Sequence, residues 1–174
     1  MPAPAQAQSV ATPVQIVVLK PLSILKTEDM DFGDILETGA GAVVMTPSIT
    51  PTCVEDNTNL IHSGNCQPAE FVGVGSPNQI MRIKKPAGGQ ILLTGPGTDM
   101  LIANIVIDGS PSLQLVVNGN GNGNAGGNGN GFVRYRIVST DGYWEFRVGG
   151  TLNVPSGQTP GVYTGTFQID VSYN

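Results

Sequence analysis

With 174 residues, 40% of them apolar, the chain is long enough for one domain with a real core and is not disordered by composition. Only 12% of residues are charged and the formal net charge is −5, so no basic stripe marks a nucleic-acid partner and no polybasic patch marks an anionic membrane surface. No apolar run approaches the ~18 residues of a membrane-spanning helix. Many short apolar runs are punctuated by Gly, Pro, Asn and Ser, and helical stretches rich in Ala, Leu and Lys are missing. The pattern is that of an all-β sandwich or barrel.

Residues 1–12 carry no charged side chain and no helix signal. Ala5-Gln-Ala-Gln8 looks like the small-residue end of a secretory signal whose apolar part is not present, so export is expected. Val10, Thr12, Val14, Ile16 and Val18 then share one face of a β-rich run, with Pro13 suited to an edge. Two roles stay open for this run: the first strand of the domain's own sheet, or an arm that pairs elsewhere. Lys20–Thr27 continues as strand, with Leu22, Ile24 and Lys26 on one face. Glu28, Asp29, Asp31 and Asp34 lack the alternating ligands, the Gly at six and the Glu at twelve of an EF-hand, which favours a solvated turn over a calcium loop.

Ala42–Thr46 reads as a short strand, and 47–68 as a long loop or a pair of short strands. Cys53 and Cys66 lie within it. They could be a redox or metal pair, but the spacing is too long for C-x-x-C and only His62 could join them; a disulfide in an oxidising compartment is the better reading. His62 itself reads as a surface residue. Short strands follow at 70–74, 79–83 and 90–94. Met100–Ile107, apolar on both sides, reads as a buried central strand, and Leu113–Val117 as another.

Asn118–Gly131 is a low-complexity Asn/Gly tract, read as an exposed loop. Its Gly121-x-Gly123-x-x-Gly126 is followed by a strand-like run rather than a helix, so a dinucleotide site is not implied. Phe132–Thr140 and Tyr143–Val148 flank Asp141-Gly142 and read as a hairpin, with Arg134, Arg136, Glu145 and Arg147 as cross-strand surface pairs and Trp144, Phe146 and Val148 as core. Gly149-Gly150 reads as a turn into Thr151–Val154. About nine to eleven strands are expected in all.

The last fourteen residues, Gly161 to Asn174, alternate strictly. Tyr163, Phe167, Ile169, Val171 and Tyr173 fall on one side, and Thr164, Thr166, Gln168, Asp170 and Ser172 on the other. With one His, no reactive-looking Cys, no G-x-S-x-G and no metal motif, an enzyme is not expected; a pair of carboxylates for glycoside hydrolysis is the alternative within that class.

The C-terminal stretch resembles the end of a chaperone–usher pilus subunit, which carries a penultimate Tyr (here Tyr173), a Gly fourteen residues from the end (Gly161) and alternating apolar residues between (Phe167, Ile169, Val171). Lys20–Ile35, Val148–Val154 and Gly161–Asn174 together are similar to a family of pilin-like secreted bacterial domains. The Cys53–Cys66 pair fits the disulfide common in pilins, whereas the Asn/Gly tract is not part of their pattern. The resemblance implies an incomplete immunoglobulin-like β-sandwich at 19–174, with residues 1–18 as a donor-strand arm. It makes Gly161, Tyr163, Phe167, Ile169, Val171 and Tyr173 the acceptor strand, and Val10, Thr12, Val14, Ile16 and Val18 the inserting face. A periplasmic chaperone and an outer-membrane usher would serve assembly, and identical subunits would then join head to tail into an extracellular fimbria, this chain being a shaft subunit. No cofactor, metal or nucleic acid is expected. The alternative is a self-complete secreted β-sandwich or adhesin that binds glycans. The discriminator is whether the N-terminal run leaves its own domain or completes its sheet.

Overall fold

The computed structural model describes residues 15–116 and 131–174. Val10, Thr12, Val14, the signal-like Ala5–Gln8 and nearly all of the Asn/Gly tract lie outside the described residues. Within them the chain is all-β, with thirteen strands and one 3-10 turn at Ala87–Gly89. The count exceeds the expected nine to eleven mainly because the 34–68 region holds more short strands than its sequence announces.

A seven-stranded sheet is built around β12 (Tyr143–Val154). One edge of β12 pairs first with β6 (Ala69–Val74) and then with β3 (Gly41–Thr46), and the other edge pairs with β9 (Met100–Asp108). β1 (Ser23–Glu28) extends the sheet from β6, β4 (Thr52–Glu55) from β3, and β8 (Ile91–Leu93) from β9. The second sheet runs β10 (Leu113–Leu115), β11 (Phe132–Ile137), β7 (Ile80–Lys84), β13 (Asp170–Tyr173). β2 (Asp34–Glu37) and β5 (Leu60–Ser63) form a separate ribbon. Inward residues of β12 (Trp144, Phe146, Val148, Leu152, Val154) share one buried cluster with Met81 and Ile83 of β7 and Val133, Tyr135 and Ile137 of β11. Two sheets closing on one core are consistent with a β-sandwich. Tyr135 ties them together: its hydroxyl donates to the Ile107 carbonyl at 2.7 Å, and burial, with Asp108 nearby, pushes its pKa up to about 12.

Three strand readings are corrected. Phe132–Ile137 and Tyr143–Val154 are not a hairpin: β11 pairs with β10 and β7, whereas β12 belongs to the other sheet. The Asp141-Gly142 turn carries the chain across the sandwich, because both strands have an apolar inner face and the two faces bury each other. Arg147 is therefore no surface partner of Arg134. It is buried on the outward side of β12 under Glu70 and Glu145 (3.0 Å each) and the Ser110 carbonyl (3.2 Å), with Asp108 at 3.9 Å.

Gly149-Gly150 does not turn; it lies inside β12, where the neighbour changes from β6 to β3. A Cβ on Gly149 would sit 2.7 Å from the Met45 carbonyl oxygen, and one on Gly150 2.9 Å from that of Ala103. These glycines admit close backbone approach rather than reversal. β9, finally, is buried on one face only. Asn104, at φ 49°, forms a bulge against β12 that shifts the inward phase from Met100 and Ile102 to Ile105 and Ile107, leaving Leu101 and Val106 exposed. Apolar residues in both phases reflect that slip, not burial of both faces.

Cys53 and Cys66 form the disulfide, with Cα atoms 5.8 Å apart, linking β4 to the segment after β5. Closing this loop stabilises by about 3 kcal/mol on the chain-entropy model.

Candidate functional site

Each main sheet has an end strand that, among the described residues, pairs on one side only. The first ends at β1 and the second at β13. Every residue of β1 is exposed, including the neighbours Ile24 and Leu25. Successive strand residues point to opposite faces, so neither face of β1 is fully covered by described residues. The chain leading into and out of β1 supplies Leu22 and Met30, both half-buried against the core.

The C-terminal segment supplies the other border. Tyr163 packs on the Gly95–Gly97 turn, its hydroxyl 2.8 Å from the Thr159 carbonyl oxygen. Thr164 makes a reciprocal backbone bridge with Thr94, 2.9 Å in each direction, beside β8 of the first sheet. Residues 165–169 then form no ladder with any described strand. Asp170–Tyr173 joins β7 of the second sheet, with Val171 opposite Ile83. Gly165 permits the crossing, since a Cβ there would lie 2.1 Å from the Leu92 carbonyl oxygen. The alternation holds throughout: Tyr163, Phe167, Ile169, Val171 and Tyr173 are half-buried, and the residues between them are exposed. Phe167 packs edge-on against Phe71 of β6 (6.4 Å between ring centroids), which stacks on Phe146 (5.1 Å).

The expected acceptor strand is thus two pieces. Gly161 and Tyr163 lie at the 95–97 turn, Gly161 against Pro96, while Phe167, Ile169, Val171 and Tyr173 border the open side. A single strand from 161 to 173 is prevented because its first part is bridged to one sheet and its last part to the other.

The two edges meet at Gly75. A Cβ there would lie 2.7 Å from Leu22 Cδ2 and 3.1 Å from the Tyr173 hydroxyl. That hydroxyl donates to the Lys20 carbonyl (2.5 Å) and accepts from the Ser76 amide (2.7 Å), while the Lys20 amide donates to Ser76 Oγ (2.6 Å). Lys20 is held at both its backbone groups. Upstream of it, Gln15–Leu19 forms no strand with the described residues. Ile16 is 84%, Val17 63% and Val18 85% exposed. Four consecutive apolar side chains, Ile16 to Leu19, therefore stand exposed, next to the Lys20 clamp.

The C-terminal alternation is legible in the sequence, whereas the exposure of every residue of β1 is not. Its one trace there is that the apolar residues of Lys20–Thr27 fall in both phases. The remaining sequence candidates hold structure locally. Asp31 accepts from the Gly33 amide and Asn65 Nδ2. The Glu55 carboxylate accepts the His62 amide at 2.6 Å, which holds its pKa below the usual carboxylate range. Among the described residues no cluster of three or more His, Cys, Asp or Glu is arranged to hold a metal ion.

No curated protein and no solved structure matches the chain. Residues 22–173 match a protein family described as a domain of unknown function, DUF4402, and the chain belongs to that family.

Proposed function

We propose that the chain is a structural subunit of an extracellular bacterial fimbria. In this reading the domain is an immunoglobulin-like sandwich short of one strand, and subunits polymerise by donor-strand exchange. One observation carries it: an exposed apolar segment, Ile16–Leu19, departs from the Lys20 clamp, and among the described residues β1 and β13 each leave one edge without a partner strand. An open edge with apolar side chains beside it invites strand pairing. An extended segment laid in such a seam gains main-chain hydrogen bonds along the edge and pockets for alternate side chains. Arm and seam are different surfaces, so the contact is heterologous and propagates as an open filament. A periplasmic chaperone strand would occupy the seam before assembly at an outer-membrane usher.

Electron microscopy of protein sheared from its native cells, beside a variant lacking residues 1–18, tests this. Filaments are expected from the full chain and none from the variant, and a synthetic peptide of the arm sequence should stabilise the variant's fold. Folded full-length monomers that never form filaments, with a variant indifferent to the peptide, would overturn it.

A further inference from the structure

The outer face of the second sheet gathers cations that are scattered in sequence. In β7, Met81 and Ile83 point inward, so Arg82 and Lys84 point outward; in β11, Val133, Tyr135 and Ile137 point inward, so Phe132, Arg134 and Arg136 point outward. Four of the chain's eight Lys and Arg residues therefore share one face of a protein whose net charge is −5. Arg134 stands directly opposite Arg82 across the ladder, and both guanidiniums lie against the Phe132 ring, 5.3 and 5.4 Å from its centroid. Like charges placed directly opposite destabilise a sheet unless something compensates them. No described carboxylate does so: none of the four cations forms an ion pair, although Asp170 sits opposite Lys84 in the register. Their hydrogen-bond partners are neutral, the Asn174 side chain for Arg134, Asn78 for Arg136 and the Tyr173 carbonyl for Arg82. Lys85 is not part of the face; its ammonium donates to the Ile105 carbonyl at 2.7 Å.

We infer that this face binds an acidic polysaccharide, the carboxylates of its uronic-acid sugars seated on the guanidiniums of Arg82, Arg134 and Arg136. Planar guanidinium forks match planar carboxylates bidentately. Outward residues along one strand stand roughly 7 Å apart, so each guanidinium can meet a separate carboxylate. The Phe132 ring is engaged by two guanidiniums and offers bases no open stacking platform. The face uses the outer sides of β7 and β11 rather than the open edges, so the inference does not rest on the filament reading.

The test is binding of the full chain to polygalacturonate at physiological ionic strength, with neutral dextran and oligothymidylate as comparisons. The expected result is binding to polygalacturonate that weakens with salt, falls by roughly tenfold or more in Arg134→Gln combined with Arg136→Gln, and is absent with dextran. Lys84→Gln removes a charge at an exposed position without placing a like charge opposite Asp170, and should also weaken binding with nearly unchanged thermal melting, which separates loss of the face from loss of the fold. No binding to polygalacturonate, equal binding to dextran, affinity unchanged in Lys84→Gln, or tighter binding to oligothymidylate would each overturn the inference.

Discussion

Replacing Ile16 and Val18 by Ser should weaken joining of subunits while leaving the isolated domain as stable as before. Both side chains are more than four-fifths exposed, so nearly all the gain from burying them is still unrealised in the single chain. Full burial of such side chains is worth about 1.5–3 kcal/mol each, or about 3–6 kcal/mol for the pair. Ordering costs of about 0.5–1.5 kcal/mol per immobilised side chain reduce this. The remainder still corresponds to roughly a hundredfold loss of affinity. The assay is calorimetric binding of two synthetic peptides covering residues 10–19, one native and one with both Ser substitutions, to the variant lacking residues 1–18. Melting of the full-length chain with and without the substitutions accompanies it. Equal affinity of the two peptides, together with a melting temperature lowered by several degrees in the substituted chain, would show that these side chains pack within their own domain. That result would refute the reasoning, since each kcal/mol lost in a domain of this size lowers Tm by about 2–4 °C.

Three further outcomes follow from the packing. Gly73→Ala should destabilise by about 3 kcal/mol, because the added Cβ would lie 1.9 Å from the Ser23 carbonyl oxygen and 2.3 Å from Trp144, prising β1 from β6; chemical denaturation measures it. Reducing the Cys53–Cys66 bond, or replacing both residues by Ser, should cost about 3 kcal/mol by the same assay. Tyr135 is a group whose folded pKa, about 12, lies above its ordinary value of 10.0. Its contribution is complete below pH 10 and is lost as pH rises towards 12, on the order of 2–3 kcal/mol. Tyr135→Phe should flatten that alkaline decline while lowering stability at neutral pH, since the buried Ile107 carbonyl loses its donor.

Strand positions were legible because period-two alternation is a local signal, and it survives in β11, in β12 and through the C-terminal segment. What pairs with what was less legible. Asp141-Gly142 reverses the chain equally well within one sheet or between two, and only the mutual burial of the β11 and β12 faces decides which. Gly149-Gly150 punctuates a sequence like a turn, but here two glycines inside one strand let the Met45 and Ala103 carbonyls come close. The bulge at Asn104 moved an apolar phase by one residue and imitated a strand buried on both sides. The alternation of the C-terminal segment is legible in the sequence, whereas β1 is known as an edge strand only once its partner on one side, β6, is known. The cationic face was legible only in part: Arg134 and Arg136 share one side of a single run, whereas Arg82 and Lys84 come from a strand some fifty residues away that pairs with it in space.

Hydrogen exchange of the backbone amides, compared between monomer and assembled protein, tests the central claim most directly. If a neighbour's arm fills the seam, amides of the arm around Ile16–Leu19, of 165–169 and of the free edge of β1 should exchange quickly in the monomer and slow together, by orders of magnitude, on assembly. Amides of the arm and seam that are already protected in the monomer, or that stay fast in the assembly, would contradict donor-strand exchange.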